Sequence, residues 1–295
     1  MSNFDEGLLM LDYNALSALK AVLDLGSFEA ASDALNVTPS AVSQRIKGLE
    51  DRMGAVLVIR GQPCTGTALG ARLAQHAAQV TLMEAELLPA GAPPVLRIAV
   101  NADSLATWVM PALAQIKDRR FDLVIADQDV SAQWLRRGTV LGAITSTPTP
   151  VPGCDVMPLG ALRYIACCTP EFYAQHFAQG VTASALAQAP SLMFDATDRL
   201  QAAWAAQNYG LVTALNTHRI ASTHAFIDAT MLGMGWALNP EVMVGQHLRE
   251  GRLTALDRTS FDTPLYWQSL RHLRVPLTAL VQALRNASRR VLTPP

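Results

Sequence analysis

Aromatic residues are few, at 6% of the chain, and cysteines fewer still, four in 295 residues. Cys64, Cys154, Cys167 and Cys168 show no Cys-x-x-Cys spacing and no histidine partner, so they read as free thiols in a reducing cytosol. The vicinal pair Cys167 and Cys168 leaves two readings, small residues on a buried strand or a redox switch. No charge-free stretch of about 18 apolar residues occurs, so no membrane-spanning helix is expected. The opening MSNFDEGLLMLDYN is acidic and lacks the basic start of a secretory signal, so none is expected. Excess charge is missing too. With 23 Lys and Arg against 24 Asp and Glu, the net charge of −1 argues neither for nor against a nucleic-acid partner. His176, His218, His224, His247 and His272 have no metal-ligand spacing, and no Gly-x-Ser-x-Gly nucleophile context appears. GMGW, at 233–236, is a fragment of a dinucleotide fingerprint without its third glycine, and reads as a helix stop. No metal, cofactor or enzymatic activity is expected.

Half the residues are hydrophobic, enough for a packed interior rich in Ala and Leu, and the length suits two or three units. The clearest seam is LLPAGAPPVLRIAV at 87–100. A long helical pattern, with Leu69, Leu73, Val80, Met83 and Leu87 as its apolar stripe, meets prolines that cannot continue it. Beyond the seam, strand patterns at 96–100, 121–127, 140–145, 163–168, 191–195, 218–222 and 235–239 alternate with helical ones, including SAQWLRRG, PEFYAQHF and RLQAAWAAQNYG. That order predicts a mostly parallel sheet covered by helices, and PTPVPG at 148–153 marks a division into two lobes. In such sheets ligands sit beyond the carboxyl ends of strands, here the loops after Val100, Asp127, Thr145, Asp195 and Ser222. Of the tryptophans at 108, 134, 204, 236 and 267, most read as core, with Trp236 a candidate to line a cleft.

The informative stretch is GSFEAASDALNVTPSAVSQRIKGLE at 26–50. Asp12 can cap a first helix that Gly26 ends, and Ser27 caps a second that stops at Asn36. Thr38 then caps a third with Pro39 at its first position, where a missing N–H costs nothing. Two short helices joined by such a turn make a helix-turn-helix. Val42, Ile46 and Leu49 repeat at helical spacing and face the core. Ser40, Ser43, Gln44 and Lys47 fall on the opposite side, a row of donors and acceptors without carboxylates, suited to a major groove and its phosphates. From 38 to 72, Arg45, Lys47, Arg52, Arg60 and Arg72 outweigh Glu50 and Asp51, concentrating positive charge on that face. AVLVIRGQPCTGTALG then reads as a strand–turn–strand wing, with Arg60 and Thr67 available to the DNA backbone. The long helix from 67 is expected to pair with a second copy, because helix-turn-helix proteins usually read two half-sites.

FEAASDALNVTPSAVSQRIKGLEDRMGAVLVIR resembles the winged helix-turn-helix of LysR-type transcriptional regulators, and the linker helix, hinge and α/β sensor that follow match that family's layout. NADSLATW, LRRGTVLGA, LGALRYIA and TPLYWQ are similar to the ArgP/LysG branch, which senses basic amino acids and activates their export. The resemblance implies a DNA-binding domain at 1–66, a linker helix at 67–88, a hinge at 89–94 and a two-lobed, periplasmic-binding-protein-like effector domain at 95–295. Lobe I would take about 95–161 and 264–295, and lobe II about 162–263. It further implies a homodimer or homotetramer on an interrupted palindrome in double-stranded DNA, possible contact with RNA polymerase, and L-lysine or L-arginine as effector. DNA contact falls to Thr38, Pro39, Ser40, Ser43, Gln44 and Lys47, with Arg60 and Thr67 from the wing, where Thr65 and Ala68 replace the Lys and Glu common in relatives.

In the sensor, Ala102, Asp103 and Ser104 open a helix placed to hold an α-carboxylate. Asp127 and Asp129 supply carboxylates for a cation, or are a solvated strand end or helix cap. Thr145, Asp195, Ser222 and Thr223 close the cleft. His224 stands where relatives commonly carry an acid, and reads either as a departure in ligand preference or as a hydrogen-bonded loop histidine. Two competing functions remain at this stage: a small-molecule binder whose first domain only dimerises, and an architectural DNA-binding protein with a lost effector.

Overall fold

The computed structural model describes residues 11–87, 93–125, 131–136 and 139–294. The chain forms two compact units that divide between Pro94 and Val95. The first begins with α1 (Tyr13–Leu25), α2 (Phe28–Leu35) and α3 (Pro39–Met53). Each starts on a side-chain cap, Asp12, Ser27 and Thr38, and each ends on a left-handed residue, Gly26, Asn36 and Gly54. These stops force the tight turns that bring Leu16, Leu19, Val22, Val42, Ile46 and Leu49 into one core. A short ribbon, β1 (Val58–Ile59) against β2 (Thr65–Gly66), follows, and then α4 (Ala68–Leu87).

The stripe expected on α4 is revised. Leu69 and Leu73 pack on the core, but the buried positions are Gly70, Ala74, Ala77 and Leu82, and Leu87 is 79% exposed. Small residues prevail at the start because the helix lies against backbone: a Cβ on Gly70 would stand 2.0 Å from the Leu57 carbonyl oxygen.

The second unit opens with β3 (Val95–Val100), whose chain continues through α5 (Ala102–Ser104) and a π-helical turn (Leu105–Val109) into α6 (Met110–Leu113). Then come β4 (Arg120–Ile125), α7 (Ser131–Arg136), β5 (Gly142–Thr145) and the long β6 (Cys154–Cys168). Next are α8 (Pro170–His176), α9 (Ala183–Gln188), β7 (Ser191–Met193), α10 (Leu200–Tyr209), β8 (Thr217–Arg219) and α11 (Thr223–Met231). The unit closes with β9 (Ala237–Pro240), α12 (Glu241–Arg249), β10 (Thr254–Leu270) and α13 (Thr278–Val291).

The expectation of a mostly parallel sheet is corrected. The six-stranded sheet runs β4-β3-β5-β10-β6-β9; β3 is parallel to β4 and β5, but β10 is antiparallel to β5 and β6, and β9 is antiparallel to β6. A smaller parallel pair, β7 and β8, is bridged to Trp236 just before β9, where Leu192 N–H donates to the Trp236 carbonyl and Trp236 N–H to the Pro190 carbonyl, both at 3.0 Å. The 17-residue β10 escapes a reading by pattern because Pro264 interrupts it, and β6 is hidden in the same way by Pro158 and Gly160. These breakers meet in register: Pro264 faces Ala161, Leu265 faces Gly160, and a bulge follows before Tyr266 faces Pro158. On one side of that bend β5 joins at Tyr266–Ser269, and on the other β9 joins at Tyr164–Cys167. One ladder thus carries two half-sheets, and the two lobes of this unit share it. Cys167 and Cys168 end β6 fully buried, and burial pushes both thiols up to about 12, so neither is a thiolate near neutral pH.

Gln268 fastens the loop after β5. Its Nε2 donates to Thr145 Oγ1 and to the Thr147 and Thr149 carbonyls, at 3.2, 3.2 and 3.0 Å, and its Oε1 accepts from Val151 N–H at 2.8 Å. Leucine there would strand buried polar groups on both sides. Gln268→Leu is expected to lower the unfolding free energy of this unit by about 2–4 kcal/mol. All five tryptophans lie beyond Val95, so their fluorescence during urea unfolding of the full chain reads this unit alone.

Candidate functional site

Two surfaces carry chemistry, one in each unit. On α3, Val42, Ile46 and Leu49 are buried, Ser40, Gln44 and Lys47 are exposed, and Ser43 is half-buried. Among the described residues none of these four polar side chains has a hydrogen-bond partner, so the row faces outward uncommitted. Glu50, one of the two acids near the end of α3, is occupied elsewhere: its Oε1 accepts from the Leu57 and Val58 N–H groups at 2.7 and 3.3 Å. That ties the end of α3 to the start of the wing and keeps a carboxylate off the basic face. Arg60 is exposed, with its guanidinium 5.1 Å from the Phe28 ring centroid, stacked over it. Thr38 Oγ1 accepts from Ala41 N–H, and Pro39 is exposed at the first turn. Thr67 is a correction. Its hydroxyl donates to the Val56 carbonyl at 2.9 Å and accepts from Gly70 N–H at 3.1 Å, so both its capacities serve the domain's own backbone.

The second surface is a cavity of about 760 Å³ in the other unit. It opens where Asn101–Asp103, Ser146, Phe194–Ala203 and Ala221–Phe226 leave the ends of β3, β5, β7 and β8, the position that a strand-end pocket requires. Tyr164 of β6 and Phe261–Pro264 of β10 form another part of its wall, at the bend in the ladder. Among the described lining residues, four carboxylates, Asp103, Asp195, Asp198 and Asp262, face one cation, Arg199.

These acids differ in state. Asp103 accepts from Tyr164 Oη at 2.7 Å and from Thr223 Oγ1 at 2.8 Å. Burial lifts its carboxyl above the ordinary aspartate range, and those two hydrogen bonds only partly offset the lift. Asp198 is also raised, first by burial and then by the charges of Asp103 and Asp195, although the Phe194 and Leu200 N–H groups bond to it at 2.8 and 2.9 Å. Asp195 is lowered, chiefly by the Thr197 hydroxyl, and is charged at neutral pH. Asp262 is spent on a two-pronged pair with Arg163, both contacts at 2.9 Å.

Of the residues expected in the cleft, Ala102, Asp103, Asp195 and Thr223 line it. Ser104 is fully buried away from the lining, and Thr145 is buried in the Gln268 network. Ser222 caps α11 through Ala225 N–H, and His224 is exposed outside the cavity, a surface histidine of the first turn. Trp236 is corrected to core: it is fully buried, 5.4 Å from the Trp204 ring. Asp127 and Asp129 lie outside the described residues. Sequence reasoning missed Tyr164, Asp198 and Arg199. The polar run DATDR straight after a strand was a usable signal for the last two, whereas Tyr164 sits in an apolar strand that hides it.

Two family models match the chain: the bacterial regulatory helix-turn-helix of the lysR family over residues 13–71, and the LysR substrate binding domain over residues 89–292. The HTH-type transcriptional regulator LysG of Mycobacterium tuberculosis is 43% identical over 264 residues, covering 88% of this chain and 87% of that protein. The crystal structure of ArgP from Mycobacterium tuberculosis aligns with a TM-score of 0.84 at 39% identity, over 97% of this chain and 100% of its own. Full-length LysG from Corynebacterium glutamicum with bound effector Arg aligns at 0.72 and 36% identity, over 96% of this chain and 100% of its own.

The Asp103 carboxyl yields a stability prediction with a definite sign. The folded state keeps its proton to higher pH than the unfolded chain does. Stability therefore falls as pH climbs from the ordinary aspartate value of about 3.9 through the raised one. Asp103→Asn removes that titration. Its unfolding free energy relative to wild type should rise across the climb and level off below about pH 4, measured by urea titrations at several pH values. A difference independent of pH would count against a raised carboxyl at Asp103.

Proposed function

The chain belongs to the LysR family of bacterial helix-turn-helix regulators, and on that footing we propose that it is a cytoplasmic sensor of a basic amino acid, L-lysine or L-arginine, controlling genes for amino-acid export. The observation that carries the ligand class is the cavity: among its described lining residues three carboxylates without an ion-pair partner, Asp103, Asp195 and Asp198, stand against one guanidinium and favour a ligand with net positive charge. A charge-assisted pair offsets what burial of an ammonium or guanidinium costs. The relative from Corynebacterium glutamicum with bound Arg supports the same class. The domain roles follow. The unit that ends before Val95 binds double-stranded DNA, α4 joins two copies as a homodimer or tetramer on an interrupted palindrome, and the unit beyond it binds the effector between its lobes, as periplasmic binding proteins do. Contact with RNA polymerase is the route by which such a protein would act on transcription.

On the DNA side, Gln44 is assigned to base edges and Lys47 to phosphate, with Ser40 and Ser43 beside them. Gln44→Ala should cost about 1–3 kcal/mol on a fragment selected from sheared genomic DNA by the wild-type protein, and little on random DNA. Lys47→Ala should weaken both and reduce the salt slope by about 1. Binding unchanged by the double variant would remove α3 from the interface.

On the effector side, thermal unfolding of the full chain followed by tryptophan fluorescence should rise with lysine or arginine. Ligand at 100 times its dissociation constant stabilises by roughly 2.7 kcal/mol. A rise with a neutral or acidic amino acid and none with these two would overturn the ligand class.

A further inference from the structure

The loop that leaves β7 is wired to itself. Asp195 Oδ1 accepts from Thr197 N–H at 2.7 Å, from Thr197 Oγ1 at 2.6 Å and from Asp198 N–H at 3.1 Å. Asp198 closes the other half, bonding Phe194 N–H and Leu200 N–H through its two oxygens. Two groups are left over. Among the described residues, Asp195 Oδ2 has no hydrogen-bond partner and the Arg199 guanidinium has neither an ion pair nor a hydrogen bond, although both residues line the cavity. A rigid loop that offers a carboxylate oxygen and a guanidinium to one space, without pairing them with each other, matches the two charges of an amino-acid head group.

The start of α5 fits that head group less well than the sequence led one to expect. A ligand carboxylate placed at Ala102–Ser104 would meet the Asp103 carboxyl, which is buried there between Tyr164 and Thr223. Asp103 is better matched to a cation, at the cost of its proton. The wall around it includes Ile125, Leu200, Phe226 and Phe261, apolar surface suited to the methylene chain of a basic amino acid.

We propose that the loop at 194–200 reads the head group of the effector, with Asp195 binding the α-ammonium and Arg199 the α-carboxylate, so that the side-chain cation points to Asp103. This assignment rests on the reading that the cavity takes a basic amino acid, and it sets the direction in which that ligand lies.

The test uses the full chain and three ligands: L-lysine, 1,5-diaminopentane, which lacks the carboxylate, and 6-aminohexanoate, which lacks the α-ammonium. Dissociation constants come from the concentration dependence of the thermal shift. The wild type should bind lysine more tightly than either analogue. Arg199→Gln should shrink the lysine-to-diaminopentane preference by about tenfold or more and leave the lysine-to-aminohexanoate preference in place. Asp195→Asn should do the reverse. Arg199→Lys, which keeps the charge, should restore part of the first preference, an effect that simple loop damage would not produce. Both preferences unchanged in the two variants, with lysine still bound by the wild type, would overturn the assignment alone. No response of the wild type to lysine or arginine would overturn the basic-amino-acid reading and this assignment with it.

Discussion

The second unit depends on one backbone interaction, the antiparallel ladder between β6 and β10. Strands of 15 and 17 residues leave long rows of N–H and C=O groups that must be satisfied on both outer edges as well as between the two. β5 covers part of one edge and β9 part of the other, at opposite ends of the ladder. The helices and remaining strands of each lobe build outward from those ends, and the cavity takes in the bend between them, through Phe261–Pro264 and Tyr164. A straight ladder would carry one flat sheet. The irregular step between Leu265 and Tyr266 divides it into two halves with room between their strand ends.

How much of this was legible in the sequence depended on whether the signal was local. The first unit was readable almost residue by residue, because caps, left-handed stops and a three-residue apolar repeat are written within a few positions of where they act. Asp12, Ser27, Asn36, Thr38 and Pro39 do in the structure what their chemistry predicts. The ladder was not readable, for the reason that makes it useful. Pro158, Gly160 and Pro264 break the strand pattern in sequence, and only pairing across about a hundred positions shows that they form one bend. The cleft was readable in part. Strand-end logic found Ala102, Asp103, Asp195 and Thr223, but it could not tell lining from core at Ser104, Thr145 and Trp236, where one residue more or less turns a side chain to the opposite face.

Electrostatics distinguishes the two surfaces. On α3 one carboxylate is drawn aside from the polar row, because Glu50 holds two backbone N–H groups. In the cavity several carboxylates stand close together under partial burial. Each receives a different remedy: hydroxyl donors for Asp103, backbone donors for Asp198, a turn of its own for Asp195 and a guanidinium for Asp262. A cationic guest, as proposed above, would supply from outside the charge that these walls lack.

Gly70 bears on how motion would pass through the first unit. With the Leu57 carbonyl lying where a side chain would begin, α4 and the strand leading into the wing are separated by no compressible layer. Leu57 N–H in turn is held by Glu50 at the end of α3. Helix α4 and the wing thus meet backbone to backbone, while the wing is tied to α3 through the Glu50 carboxylate. A twist applied at the start of α4 would meet the wing with no side chain between them, and would pass on to the polar row of α3 through a single carboxylate.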